Sequence, residues 1–394
     1  MNIETKQFIA THEKEDIFAL KLKYKTESKV DINLSIRQIT GKQKIKYKVP
    51  LFYQTEDILY PAQLSLEQSS SESTAKYKSN LCEGNRLIDL TGGFGVDCCF
   101  MSSRFKQVTY VEQQEELCDL AAHNFKALGK EHIKVVHSKT ENYLAETEHV
   151  DWIFIDPARR STEGKKVVLL SDCEPNVAIL SALLLEKASH VMIKLSPMMD
   201  ITAAIRELPA TSEIHIISVE NECKEVLLIL DQTAGVNIKI KTINFGINKE
   251  DQVFEFNIQD ESLANISFSS MLGKYLYEPN AAIMKSGAFK LIGERFKLHK
   301  LQRNTHLYTS DELSVEFPGR IFEVKKQWGN SKKELKELVV KIPKANITTR
   351  NYPVSVDELR KKLKIKDGGD IYLFACTLNN EQKSIIECNK IIDR

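Results

Sequence analysis

Residues 86–97 (RLIDLTGGFGVD) concentrate the residue types that bind ligands. An apolar run ends at Asp89, Thr91 follows, and Gly92, Gly93 and Gly95 allow a sharp turn with no Cβ between backbone and ligand. Asp97 then opens the next segment. Glycine turns of this kind seat a pyrophosphate at a helix N-terminus in dinucleotide-binding proteins. Acids on both sides of the turn would repel a pyrophosphate and suit a cation such as an α-ammonium. The spacing is GGxG, not GxGxxG, and the expected cofactor is therefore the sulfonium compound S-adenosylmethionine. Glu112 closes the next apolar run (VTYVE), 23 residues beyond Asp89, where an acid can hold ribose hydroxyls. A third run, 133–137, leads to Ser138, Lys139 and Thr140, candidates to edge the adenine.

A second group lies at 152–160 (WIFIDPARR). Ligands of open α/β sheets bind beyond the carboxyl ends of the strands, and a fourth strand would lie beside the first there. Asp156 and the carbonyls of Pro157 and Ala158 are candidates to hold an N–H of a target and turn its lone pair toward the donor. An activated donor needs little beyond such positioning. Arg159 and Arg160 could stack on a base or fork a phosphate. Lys194 and Ser196, at the end of a fifth run, and Thr74 and Tyr77, before the first, are further substrate-binding candidates. Carbon methylation of a pyrimidine needs a nucleophilic cysteine. The fifth-run segment IKLSP has none, and Cys173 in SDCEP reads as a core or loop cysteine, so nitrogen is the preferred acceptor. The nine histidines show no HxH or HxxxH spacing, and no metal is expected.

The elements that would carry these residues alternate. Short apolar runs at 87–90, 107–111, 133–137, 152–155, 191–195, 214–219 and 226–230 are separated by helical stretches such as 115–128 and 175–187. This alternation predicts βαβ units and a mainly parallel, Rossmann-like α/β sheet. Only six residues separate the last two runs, which predicts a hairpin and one antiparallel edge strand. Residues 1–77 read as a helical region with helices at 16–24 and 30–47, and the serine-rich stretch 65–78 reads as a linker or covering loop. The sheet domain is expected over 78–235. Small α+β domains are expected over 236–318 and 319–394, with a helical run at 278–294 and a basic helix at 355–363.

The chain has 394 residues, a net charge of +1, and 42% hydrophobic and 28% charged residues. That length calls for more than one domain. No run of about 18 apolar residues occurs and no apolar leader opens the chain, so no membrane span or secretion is expected. Eight scattered cysteines without CxxC fit reduced thiols of a cytoplasmic protein. The charge is unevenly spread. Residues 33–55 hold five cations (Arg37, Lys42, Lys44, Lys46, Lys48) and no acid, and residues 325–366 hold 13 Lys plus Arg against four acids. Such faces suit a polyanion.

Residues 89–97, Glu112 and 156–159 resemble motifs of class I S-adenosylmethionine-dependent methyltransferases. The DPAR at 156–159 is close to the DPPR motif of RNA methyltransferases and related to the (N/D)PP(Y/F/W) motif of amino methyltransferases. Residues 277–285 (YEPNAAIMK), 317–320 (FPGR), 349–353 (TRNYP) and 368–370 (GGD) resemble a bacterial, largely Bacteroidetes, group of uncharacterised methyltransferases. That group carries a ferredoxin-like segment and a C-terminal THUMP-like domain. THUMP domains bind structured RNA, so the resemblance implies an RNA base N-methyltransferase acting on tRNA or rRNA. Arg159 stands where amino methyltransferases usually have an aromatic residue, so stacking on the target base would have to come from elsewhere or from the guanidinium itself. The alternatives are a methyltransferase acting on a protein or small molecule, and a cofactor-binding RNA module without catalysis.

Overall fold

A computed structural model describes residues 1–24, 29–159, 169–232, 237–247, 249–269 and 271–392. Arg160, a candidate contact to substrate, lies outside them. The chain divides into two compact units, Met1–Thr211 with Leu227–Ala234, and Ser212–Val226 with Gly235–Arg394.

In the first unit the chain opens with helices, among them Ile3–His12, Ile17–Lys23 and Ile32–Lys48, whose buried Phe8, Leu20, Ile36 and Ile39 form one apolar cluster. Side-chain amides fix this layer: Gln38 exchanges two hydrogen bonds with the Tyr60 backbone (2.8 and 2.9 Å), and Asn124 does the same with Leu59. The stretch 65–78, read as a linker or covering loop, is instead the end of the helix Gln63–Gln68 and most of the helix Glu72–Leu81, which is capped by Ser71.

The sheet follows, with β1 (Gly84–Asp89), β2 (Phe105–Glu112), β3 (Ile133–His137), β4 (Val150–Ile155), the two-residue β5 (Ala158–Arg159) and β6 (Cys173–Glu174), and β7 (Ala188–Leu195). Among the described residues β5 and β6 form a two-stranded sheet of their own. The strand order of the main sheet is β7-β4-β1-β2-β3, every neighbouring pair parallel, as the alternation of runs and helices predicts. Next come β8 (Thr211–Val219) and β9 (Glu222–Asp231). β9 lies next to β7 in the sheet order.

In the second unit β8 and the start of β9 are neighbours joined by Glu220 and Asn221 alone, both at positive φ, the signature of a two-residue hairpin. The hairpin is therefore tighter than the six-residue gap implied. Its strands are not an edge: β8 also pairs, in parallel, with β10 (Lys239–Phe245), and β10 pairs antiparallel with β11 (Gln252–Asn257).

The rest of this unit is a seven-stranded sheet of β12 (Tyr275–Pro279), β13 (His299–Lys300), β14 (Tyr308–Ser310), β15 (Gly319–Trp328), β16 (Asn346–Arg350), β17 (Ile371–Thr377) and β18 (Lys383–Ile392), in the order β13-β14-β12-β15-β18-β17-β16. The helical run expected at 278–294 is a strand end followed by two short helices, Ala281–Ser286 and Leu291–Arg295, broken at Gly287 in the left-handed conformation. The basic helix is present as Val356–Leu363 with a Ser355–Glu358 capping box. No helix of the described residues is long and apolar enough to cross a membrane.

Candidate active site

Register alone aligns the candidate residues. β1 pairs with β4 at Asp89 and Phe154, β4 pairs with β7 at Ile155 and Ile193, and β2 pairs with β3 at Glu112 and His137. The residues just past these pairs therefore emerge together at the carboxyl edge: Thr91, Asp156, Lys194 and Ser138. Thr91 ties two of the strands, its hydroxyl accepting the Asp156 N–H at 2.6 Å. Thr140 ties a third, its hydroxyl donating to the Leu90 carbonyl at 2.8 Å.

The glycine bend is held from below. A Cβ on Gly92 would lie 2.0 Å from the Tyr110 ring, and Gly95, at φ +81, sits against Phe125. Tyr110 donates its hydroxyl to the Gly93 carbonyl at 2.6 Å. Glu112 grips the loop from the end of β2, accepting the Gly93 N–H at 3.0 Å on one oxygen and the Gln114 N–H at 2.9 Å on the other. Each oxygen keeps a further lone pair for a hydroxyl. Phe94, at the tip, is buried with its ring edge-on to Phe52 of the helical layer. Beside Gly93 the space is open, with no atom nearer than 3.9 Å to where its Cβ would stand. A fixed bend with an open face and an acid at the end of β2 fits S-adenosylmethionine.

The acids flanking the bend are not the open carboxylates that their spacing implied. Asp97 is buried, with Lys78 Nζ 3.2 Å and Lys194 Nζ 3.6 Å from its oxygens and the Ser70 hydroxyl donating at 2.7 Å. Burial alone would raise its pKa. The two ammonium groups and the Ser70 hydroxyl outweigh burial and hold it below the usual carboxylate value. Asp89 is also buried and accepts the Thr91 N–H at 3.1 Å. Burial, aided by the nearby Asp97 and Asp156 charges, pushes its carboxyl well above the usual range.

Lys194 is likewise not a phosphate-reaching surface lysine. Only 8% exposed, it donates to Asp156 at 2.5 Å and lies between Asp156 and Asp97. Lys78, Asp97, Lys194 and Asp156 thus form one chain of alternating charge, of which Asp156 is the exposed end, its side chain 35% accessible. Pro157 behind it is buried and Ala158 is exposed.

Arg159 pairs through its backbone with Cys173. Cys173 is 3% exposed, which does not suit a nucleophile. Burial pushes the Cys98 thiol far up and the Cys99 thiol to about 11, so these are inert as well. Ser196 turns its hydroxyl to the Met198 N–H, and Lys139 is exposed at the N-cap of the helix Thr140–Glu146. Thr74 is buried, with its hydroxyl bonded inside the Ser71 cap, and has no face left for substrate; Tyr77 is half-buried on the same helix. Lys78 and Ser70, which no motif marked, are the additions that the structure makes. Among the described residues no cluster of three or more His, Cys, Asp or Glu is placed to hold a metal.

A Rossmann-like sheet with a glycine bend, an acid closing β2 and an Asp-Pro loop closing β4 defines a methyltransferase of the S-adenosylmethionine-dependent class. Residues 70–210 match the family described as conserved hypothetical protein 95, residues 275–318 a ferredoxin-like domain, and residues 319–390 a THUMP domain-like family. A protein from Porphyromonas gingivalis W83, described as a methyltransferase, is 31% identical and superposes with a TM-score of 0.88 over 99% of this chain and 98% of its own. An uncharacterised S-adenosylmethionine-dependent methyltransferase of Mycobacterium tuberculosis, in strains CDC 1551 and H37Rv, is 23% identical over 308 residues, 77% of this chain and 80% of that protein. The chain belongs to the class I S-adenosylmethionine-dependent methyltransferases, in the bacterial group that carries a ferredoxin-like and a THUMP-like segment.

Proposed function

We propose that the chain methylates a base nitrogen in RNA, tRNA or rRNA, with Asp156 orienting that nitrogen. The observation that carries this reading is the Asp156–Lys194 pair at the carboxyl edge of the sheet, beside the glycine bend, with no accessible cysteine among the described residues near it. S-adenosylmethionine supplies an electrophilic methyl group on a positively charged sulfur. Thr91, the glycines and Glu112 are the residues to hold it, with Glu112 on the ribose hydroxyls and Ser138, Lys139 and Thr140 along the adenine. Asp89 and Asp97 shape the bend from beneath. The Asp156 carboxylate, fixed by Lys194, accepts an N–H of the target, as do the carbonyls of Pro157 and Ala158. The lone pair then faces the methyl, and Asp156 takes up the proton that the nitrogen sheds. Arg159 is the residue to stack on the base.

RNA as substrate is supported by the lysines of the THUMP-like segment. Lys332, Lys333, Lys336, Lys344, Lys361, Lys362, Lys364 and Lys366 are exposed and make no ion pair among the described residues. The basic helix near the N-terminus is different. Arg37 pairs with Glu116, Lys42 with Glu13 and Lys44 with Glu67, and Lys48 donates to the carbonyls of Leu66 and Glu67. Its charge is largely answered from within, and RNA docking is assigned to residues 332–366 alone. The deciding experiment is mass spectrometry of nucleosides from total RNA of a strain lacking the chain, against its parent. One methylated nucleoside should disappear. An unchanged RNA profile, with the purified protein still binding S-adenosylmethionine, rejects RNA as the substrate.

A further inference from the structure

Three motifs that the methyl-transfer site does not use meet at one buried carboxylate in the second unit. Glu278, of YEPN, is 1% exposed. One of its oxygens accepts Nε (2.7 Å) and Nη2 of Arg320, of FPGR, and the other accepts Nη2 of Arg350, of TRNYP, at 2.7 Å. Two guanidiniums share one carboxylate, so Glu278, Arg320 and Arg350 together carry a net charge of one positive unit, and among the described residues Arg350 Nε is buried without a hydrogen-bond partner. The FPGR glycine permits the approach, because a Cβ on Gly319 would stand 2.2 Å from the Glu278 carbonyl oxygen.

Arg320, its side chain 32% exposed, lines a cavity of about 340 Å³ together with Lys249, Lys390, Asn221, Gln252 and Asn280. Glu220 also lines it, so the wall carries three cations and one acid. The volume is in the range of a nucleotide-sized ligand. The amides of the wall are engaged with one another and with backbone: Asn280 donates to Gln252 at 3.0 Å, Gln252 donates to the Gly319 carbonyl at 3.2 Å, and Asn221 accepts the Ala281 N–H at 2.8 Å. They are poorly placed to read a base edge. What the wall offers an incoming group is positive charge on a guanidinium held rigid by its far edge, the arrangement that favours a phosphate.

We infer that this cavity of the second unit is a nucleotide phosphate site, taking the phosphate of a nucleotide either free or within an RNA strand. It rests on the RNA reading only for the second of those sources.

The test is calorimetric titration of the full chain with AMP, with adenosine, and with a single-stranded RNA oligonucleotide, for wild type, Arg320→Gln and Lys249→Gln. S-adenosylmethionine affinity serves as the control for folding. The site predicts that adenosine does not bind and that R320Q weakens the phosphorylated probe at least about tenfold, with K249Q smaller in the same direction. For a strand as source, the slope of log affinity against log salt should also fall by about 0.7, the share of one phosphate. Loss of AMP binding alone identifies a free nucleotide as the occupant. Loss of oligonucleotide binding identifies the strand. Equal affinities of wild type and both variants for AMP and for RNA overturn the site, whatever the cellular RNA profile shows.

Discussion

Among the described residues Asp156 joins the charge network through Lys194, so its role can be separated from that of Lys78 and Asp97. Asp156→Asn keeps the shape and removes the charge that Lys194 holds. Methyl transfer should fall by roughly 10²–10³-fold, the scale on which loss of one oriented polar group acts in catalysis. S-adenosylmethionine affinity should stay within about threefold, since the substitution leaves Thr91, the glycine bend and Glu112, the residues assigned to hold the cofactor, in place, and a change outside direct contacts shifts free energy by about 0.5 kcal/mol. Radiolabelled methyl transfer and calorimetry measure the two, and an unchanged rate would remove Asp156 from the role given to it. Lys78→Met tests the other end. It leaves Asp97 buried beside one ammonium group instead of two, and breaking a buried pair costs about 3–5 kcal/mol. The pH dependence has a definite sign. Asp97 has its folded pKa below the usual 3.8, so its contribution is complete above 3.8 and is lost as pH falls through the lower folded value. In K78M that folded value rises, and the acid-side loss should begin at a higher pH. Urea unfolding over a pH series checks this, and K78M with the wild-type acid limb would show that Lys78 does not hold Asp97.

The helix Glu72–Leu81 carries Lys78 to Asp97, and its start depends on Ser71, whose side chain accepts the Thr74 N–H. Ser71→Ala should cost about 1 kcal/mol in the same unfolding measurement, against nearly nothing for an exposed serine elsewhere on the chain. This helix also marks where reading the sequence stops short. Its buried positions are Thr74, Ala75, Lys78 and Ser79, spaced as a helix face but almost without apolar residues, so the pattern resembles a polar linker. The strands were legible because β1, β2, β4 and β7 bury continuous apolar runs, and the order of acid, glycine bend and second acid followed from them. What those acids face was not legible. The cations that answer Asp97 come from residues 78 and 194, brought together only by the helix packing and the β4–β7 register. The same blindness affects the basic helix, whose counter-charges Glu13, Glu67 and Glu116 lie on other elements and escape any local count.

In the second unit, the boundary between the ferredoxin-like match and the THUMP-like match falls at 318/319, at the start of β15. β15 pairs with β12 on one side and β18 on the other, so the two matched segments share one sheet. A chain ending at residue 318 should not yield a trimmed enzyme with intact remainder. It loses four of seven strands and bares the edge of β12. Such a chain should aggregate or show no cooperative unfolding transition for this unit, and a monomeric, cooperatively folding product would show that residues 275–318 stand alone. For the same reason, RNA docking is better probed by exchanging Lys332, Lys333, Lys361 and Lys362 for Gln in the full chain. Affinity should drop, with the salt slope shallower by about 0.7–0.9 for each phosphate that is no longer neutralised. During synthesis, β12 leaves the ribosome more than forty residues before β15 and over a hundred before β18. Nascent chains therefore expose a half-built platform until the final residues emerge. A nonsense codon between β12 and the start of β18 should send the product to proteolysis, leaving no partially active enzyme.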